Sequence, residues 1–200
     1  IKRDAGLIDD AAALYAEAID QAIKAGLDRS ILAQIRTSLA TALDNAGKEA
    51  ESISIFEQAI KDLEEMEPPD NFTAGQLRNN VALNYKRMGK FALAEQHYLR
   101  SLEVLEANAG SDSEFVASIF NNLGGLYYAA GFAGQAKEMF DEAMAVRLKL
   151  LGENHPDVAQ SHSNIGTVQH ELGDNAAAMQ SFERALRILE AHLPDEASSY

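Results

Sequence analysis

Histidine is the residue type with which this sequence could most readily bind a metal ion, because the chain has five histidines and no cysteine. His162 and His170 are eight residues apart, which places them on roughly one face of a helix. The helical zinc motif has two histidines four residues apart, and neither of these has such a neighbour. We therefore predict no metal site and no other cofactor. The lack of cysteine also excludes disulfides and a cysteine nucleophile.

Neighbouring carboxylates are the other groups that could do chemistry, as a general acid and base. Three such pairs are Glu64-Glu65, Asp141-Glu142 and Asp195-Glu196. All fall on predicted helices or chain ends, where they are solvated surface charge. A general acid needs burial to raise its pKa, and the surrounding sequence predicts none. Since the sequence also has no nucleophile–base motif and no phosphate-loop glycine spacing, we predict that the protein is not an enzyme.

The charge balance bears on the partners of this protein. Seventeen basic and 31 acidic residues give a net charge of −14, which repels phosphate backbones and anionic lipids. We therefore predict no nucleic-acid partner. No run of eighteen apolar residues is present, so we predict no transmembrane segment and a cytoplasmic protein. Because the sequence begins with Ile1, we expect it to be trimmed or processed.

The elements that position the polar side chains repeat along the chain. Glycine recurs every 42 residues, at Gly47, Gly89, Gly131 and Gly173. Apolar residues recur three and four apart on both sides of each glycine, which predicts two helices per repeat. A glycine adopts the left-handed conformation that ends a helix without steric cost, so it marks the turn between them. We predict an all-α solenoid of antiparallel helix pairs.

Two columns of residues with the same period are expected to pack inside each helix pair. The first helix contributes the small residues Ala40, Ala82, Gly124 and Gly166. The second helix contributes the aromatic rings Phe56, Tyr98, Phe140 and Phe182. Small residues let the two helices approach closely, and each ring fills the space beside them.

The period also predicts the organisation of the chain, which we expect to be one repeat array over residues 1–200. A partial repeat at 1–26 supplies only a second helix, at about residues 7–25. Complete repeats follow at 27–68, 69–110, 111–152 and 153–194, and 195–200 is a tail. Asp28, Asp112 and Asp157 are predicted to cap helices or to lie in their first turns.

A pattern of small, aromatic and small residues around a glycine turn resembles the tetratricopeptide repeat, with a period longer than the usual length of about 34 residues. Residues 151–159, LGENHPDVA, followed by Asn164 and Ile165, are similar to the junction of kinesin-light-chain repeats. The resemblance, which extends to bacterial kinesin-light-chain-like proteins, implies a right-handed superhelix and a non-enzymatic adaptor. It also implies a link to bacterial tubulin-like cytoskeletal filaments.

In proteins of this family, the first helices of successive pairs line a concave groove that holds a protein or extended peptide. The residues we expect in the groove are Ser38, Asn79, Asn80, Lys86, Arg87, Asn121, Asn122, Asn164 and Thr167, together with Gln34, Thr37, Thr41 and Ser163. A carboxamide offers both a donor and an acceptor, so a column of them suits an extended peptide backbone. Lys86 and Arg87 would then select an acidic group.

An alternative interpretation gives these residues a structural role. The asparagines would hydrogen-bond to the neighbouring helix and set the twist of the array. Lys86 and Arg87 would complement the dipole at the end of their helix. The sequence alone leaves both interpretations open.

The two ends of the array lack polar capping elements. The last helix carries Met179, Phe182, Leu186, Leu189 and Leu193, and the first carries Tyr15, Ile19 and Ile23. We expect these apolar faces to be covered by residues beyond this sequence or by end-to-end self-association. The alternative function is therefore that of a structural spacer or self-assembling scaffold that acts through its apolar ends.

Overall fold

The computed structural model describes residues 2–192, and the side chains of residues 11–192. Within that range the chain forms nine α-helices and no strand. The helices are α1 Lys2–Lys24, α2 Arg29–Asn45, α3 Glu49–Glu64, α4 Asn71–Arg87, α5 Phe91–Ala109, α6 Glu114–Ala129, α7 Ala133–Leu151, α8 Pro156–Glu171 and α9 Asn175–Glu190. The prediction of an all-α helical repeat fold is confirmed, and α1 begins earlier than the expected residue 7. No described helix is long and apolar enough to cross a membrane.

The chain divides into two compact units, which we call unit 1 (residues 1–108) and unit 2 (residues 109–200). Unit 1 contains α1 to α4 and nearly all of α5, and unit 2 contains α6 to α9. In unit 1, α2 packs against α3 and α3 against α4; in unit 2, α6 packs against α7, α7 against α8 and α8 against α9. The division into four complete repeats within one array stays a prediction.

Each of the four periodic glycines lies at the turn between two helices. Their φ angles are 71°, 71°, 83° and 84° for Gly47, Gly89, Gly131 and Gly173. The residue after each glycine donates its amide hydrogen to the carbonyl five residues earlier, as Lys48 does to Leu43 at 2.9 Å. This bond closes the helix end in the manner of a Schellman motif, which requires the left-handed residue. The predicted role of the glycines is confirmed.

The aromatic column packs inside the helix pairs in three of its four positions. Phe56, Tyr98 and Phe140 are 1%, 0% and 6% exposed, whereas Phe182 is 43% exposed. Phe182 still contacts the first helix of its own pair, because a Cβ atom on Gly166 would lie 2.9 Å from its ring. The rest of this ring is exposed.

The predicted helix starts agree only in part with the structure. Asp28 caps α2 by accepting a hydrogen bond from the Ser30 amide at 3.4 Å, as predicted. Asp157 lies in the first turn of α8, and His155 is the residue that caps this helix. The prediction for Asp112 was wrong, because Ser113 caps α6 and the Asp112 carboxylate instead forms an ion pair with Lys149.

Candidate functional site

The predicted groove residues all lie on the first helices of helix pairs. In unit 1, Ser38 is on α2, and Asn79, Asn80, Lys86 and Arg87 are on α4. In unit 2, α6 carries Asn121 and Asn122, and α8 carries Asn164 and Thr167. Each unit therefore presents its own set of these side chains, and we describe the two sets separately.

Unit 1 has an open groove of about 480 Å³ where α2, the end of α3 and the start of α4 meet. The polar side chains of Gln34, Thr37 and Ser38 line this groove together with Asp70 and Thr73, and Leu63 and Met66 add apolar surface. The first three are among the residues expected in the groove. Such a mixture of apolar surface and a few polar groups is typical of ligand sites.

The hydroxyl groups among the predicted residues donate to their own helices. The Ser38 hydroxyl donates to the Gln34 carbonyl at 3.0 Å, and the Thr167 hydroxyl donates to the Ser163 carbonyl at 2.9 Å. Thr41 makes the same bond, to the Thr37 carbonyl at 2.8 Å. The donor of each hydroxyl is thus used, and its lone pairs can accept a hydrogen bond from a ligand amide.

Arg87 is held by side chains of unit 1. Its guanidinium forms an ion pair with Asp44 of α2, lies 3.7 Å from the Glu49 carboxylate and donates to the Asn84 side chain at 2.7 Å. These contacts tie α4 to the two preceding helices. The charge of Arg87 is therefore largely neutralised within the unit by these side chains, which neither interpretation of the sequence predicted.

Asn84 is a residue that the sequence analysis missed. Its side chain is 0% exposed, donates to the Asn80 carbonyl at 3.1 Å and accepts from Arg87. The sequence did contain a signal for this residue. Asn84 is polar, whereas the residues at the same position of the repeats before and after it, Ala42 and Leu126, are apolar. Asn84 thus fixes the orientation of Arg87 and links it to the backbone of α4.

Lys86 differs from its neighbour Arg87. It has no hydrogen bond or ion pair with another residue in the described part of the chain. Its side chain is half-buried, and this burial lowers the pKa of the ammonium group below its ordinary value of 10.5. A partly desolvated cation without a counter-ion gains more from an incoming carboxylate than a solvated one does.

In unit 2, two of the predicted asparagines bond to each other. The Asn164 amide of α8 donates to the Asn121 oxygen of α6 at 2.8 Å, and Gln160 donates to the Asn164 oxygen at 3.0 Å. This contact joins two first helices, as the structural interpretation requires. The amide nitrogen of Asn121 takes no part in that bond and has no other partner among the described residues, so it can still donate to a ligand.

Three of the histidines contact neighbouring side chains or backbone of the fold. His170 hydrogen-bonds to the Asn175 side chain at 2.6 Å, and His155 accepts from the Asp157 amide at 3.2 Å. His97 packs against the Tyr85 ring with 5.3 Å between ring centroids. Within residues 11–192, no three histidine, aspartate or glutamate side chains come together as metal ligands would.

Helix hairpins that are closed by left-handed glycines and recur every 42 residues define the class of helical-repeat scaffolds that bind other proteins. The chain belongs to the tetratricopeptide repeat family, whose pattern matches residues 73–131 and 115–191. Proteins of this fold are typically non-enzymatic scaffolds for protein interactions. The predicted family is therefore confirmed.

Solved structures that resemble this chain include members of the kinesin-light-chain type, as predicted. BtubC (BKLC) from P. vanneervenii is 31% identical with a TM-score of 0.83, and the match covers 97% of this chain and 79% of that one. A kinesin-light-chain structure from Podosopora anserina with nearly identical TPR-like repeats is 18% identical with a TM-score of 0.76, covering 92% and 87%. The latter similarity shows the fold alone. Among curated protein sequences, none matches.

Proposed function

We propose that this chain is an adaptor that binds an extended segment of a partner protein along the first helices of its helix pairs. The observation that carries the proposal is the groove of unit 1, which is lined by both polar side chains, among them Gln34 and Ser38, and the apolar side chain of Met66. Its volume of about 480 Å³ falls in the range of roughly 300–1,000 Å³ that is usual for ligand sites.

The chemistry of the groove suits a peptide in an extended conformation. Such a peptide has one unpaired amide hydrogen and one unpaired carbonyl per residue, so its site must both donate and accept. The Gln34 carboxamide can do both, and the Ser38 hydroxyl can accept. Met66, which is only partly buried at the edge of the core, would receive an apolar side chain of the peptide.

Asn80, Asn121 and Lys86 would extend recognition beyond this groove, each within its own unit. Asn121 retains a free amide donor, and Lys86 is the predicted cation that has no counter-ion among the described residues. We therefore assign the selection of an acidic group to Lys86 rather than to Arg87, which is already paired with Asp44.

The test is a pull-down from the source cell with matched variants. Ser38→Trp should block the groove, whereas Ser54→Trp adds the same ring on the exposed side of α3, outside the groove. A partner that wild type and Ser54→Trp retain and that Ser38→Trp loses, and that binding to the purified chain reproduces, supports the proposal. Retention by all three proteins would place binding on another surface.

A second comparison tests the asparagine column directly. The Asn80→Ala/Asn122→Ala double variant should lose the partner while its circular dichroism melt shows that the helices remain. If the partner is retained at wild-type level, then the asparagines act only between helices.

We further propose that the partner belongs to a bacterial tubulin-like filament. The kinesin-light-chain resemblance of residues 151–159 supports this, as does the 31% identity to BtubC (BKLC). The net charge of −14 opposes direct binding, because tubulins are acidic too. Co-sedimentation with purified bacterial tubulin filaments is the test, and a chain that stays in the supernatant at both low and moderate salt would contradict this assignment.

The structural-scaffold function remains the alternative candidate, and the surface of α9 favours it. Met179, Leu186 and Leu189 are 62%, 55% and 46% exposed. If the chain acts through this end alone, the Ser38→Trp variant should assemble and function as the wild type does.

A further inference from the structure

The groove of unit 1 contains a carboxylate without a counter-ion. Asp70 lines this groove, and among the lining residues that the structure describes it is the only charged one. Its carboxylate forms no ion pair with any residue in the described part of the chain. Asp112, one period later, differs because it pairs with Lys149. The negative charge of Asp70 is therefore still available to a ligand.

The carboxylate of Asp70 is held in place by Thr73. The Thr73 amide donates to Oδ1 at 3.0 Å, and the Thr73 hydroxyl donates to Oδ2 at 2.7 Å. Each carboxylate oxygen has accepted one hydrogen bond and can accept another. Since the side chain is already fixed, it loses little conformational entropy when a ligand binds to it.

Two hydroxyl groups beside Asp70 also offer only acceptors. The Ser38 hydroxyl donates to the Gln34 carbonyl, and the Thr73 hydroxyl donates to Asp70, so neither has a hydrogen left for a ligand. The ligand must therefore bring donors. Met66 lines the same groove and is only partly buried, so the ligand should also have an apolar portion. A long basic side chain has both, because its methylene stem is apolar and its head carries several donors.

We propose that the groove of unit 1 selects an arginine of the partner segment, with Asp70 as the residue that determines this specificity. The inference rests on the proposed function of the groove as a peptide site, and it names the residue that the peptide supplies. The arginine stem would lie along Met66 while its head pairs with Asp70. Arginine fits better than lysine, because a planar guanidinium can donate to both oxygens of one carboxylate at once.

This assignment is compatible with the selection of an acidic group by Lys86. Asp70 and Lys86 are sixteen residues apart, which corresponds to about 24 Å along a helix. The two charges are thus too far apart for one side chain of the partner to contact both. The partner segment should carry an arginine and an acidic residue at separate positions.

Asp70 also caps α4, so the test must remove its charge and keep the cap. Asn is as good a capping residue as Asp and has no charge, which makes Asp70→Asn the informative variant. Asp174→Asn is the matched control, because Asp174 caps α9 of unit 2 by accepting from the Ala177 amide at 3.0 Å. Both variants should keep the circular dichroism spectrum of the wild type.

The probe is a library of random nine-residue peptides displayed on phage and selected on the full 200-residue protein. Peptides that bind the wild type and not Ser38→Trp are ligands of the groove. We expect them to share an arginine at one position, and we expect selection on Asp70→Asn to lose this preference.

Fluorescence anisotropy with one selected peptide then measures the arginine contact. Replacing its arginine by citrulline, which has nearly the same shape and no charge, should weaken binding to the wild type about tenfold. Asp70→Asn should weaken binding of the arginine peptide by a similar factor, and Asp174→Asn by less than about twofold. On Asp70→Asn, the arginine and citrulline peptides should bind almost equally, since the contact is already lost.

The outcomes separate this inference from the proposed function. Groove peptides that share no arginine, equal binding of the arginine and citrulline peptides to the wild type, or equal losses in Asp70→Asn and Asp174→Asn would overturn the arginine assignment and leave the groove as a peptide site. If none of the selected peptides depends on Ser38, the peptide-binding function of the groove fails, and the arginine assignment fails with it.

Discussion

Gly124 offers a direct test of how closely the two helices of a pair approach. A Cβ atom built on Gly124 would lie 2.6 Å from Cδ1 and 2.7 Å from Cε1 of Phe140, well inside the contact distance of about 3.5–4 Å. Phe140 is only 6% exposed and packs in a cluster with Ala136, Ile165 and Val168. The ring therefore cannot move away without disturbing other buried side chains.

The size of the effect can be isolated with a second glycine in the same helix pair. Gly134 lies near the start of α7, and a Cβ atom there would meet no other atom within 4 Å. Gly134→Ala should raise the free energy of unfolding by about 0.5–1 kcal/mol, because alanine favours the helix. Gly124→Ala should gain the same free energy from helix propensity. Overpacking against Phe140 should, however, lower its free energy of unfolding by about 1–3 kcal/mol.

The difference in unfolding free energy between Gly124→Ala and Gly134→Ala should thus be about 1–3 kcal/mol. Urea denaturation followed by circular dichroism measures both variants. In a Phe140→Leu background the difference should shrink, since the ring that causes the clash is gone. Equal stability of the two alanine variants in the wild-type background would refute the reasoning.

Three further predictions concern buried groups. Ala136 is 0% exposed, so Ala136→Leu should lower the free energy of unfolding by about 1–3 kcal/mol; an unchanged circular dichroism melt would contradict this. Asp62→Ala should cost about 3 kcal/mol in urea denaturation, because it leaves the nearly buried guanidinium of Arg36 without its carboxylate. Burial, and then the charge of Arg78, lower the pKa of His97 below 6.5. The unfolded chain therefore binds the proton first, and stability is lost as pH falls below about 6.5. His97→Gln should reduce this loss, and identical pH dependence of the two unfolding free energies would argue against it.

The helices and turns were predictable because their signals are local. The glycine at each turn, the apolar spacing on either side and a capping residue such as Asp28 lie within a few residues of the feature that they determine. The prediction that Asp112 caps α6 was wrong because the adjacent Ser113 is an equally good capping residue. Residue type alone does not decide which of the two caps the helix. Lys149, 37 residues away, then pairs with the aspartate.

The side-chain network of unit 1 was not predictable, because its partners are far apart in sequence. Arg36 and Arg78 are one period apart, but Arg36 pairs with Asp62 and Arg78 with Glu64. The period places both arginines on the same face of their helices. It does not determine which of several acids on the facing helix each long side chain reaches, since that depends on rotamers and on the neighbours of each acid.

The asparagines of unit 2 indicate that the two interpretations of the polar column do not exclude each other. The Asn121 oxygen accepts from Asn164 and so helps to hold α8 beside α6. A carboxamide has a donor group as well, and this bond fixes the orientation of that donor without using it. A donor that a neighbouring helix already orients loses less side-chain entropy when a ligand binds. The bond between the helices therefore prepares Asn121 to donate, and the same residue can serve both the fold and the recognition of a peptide.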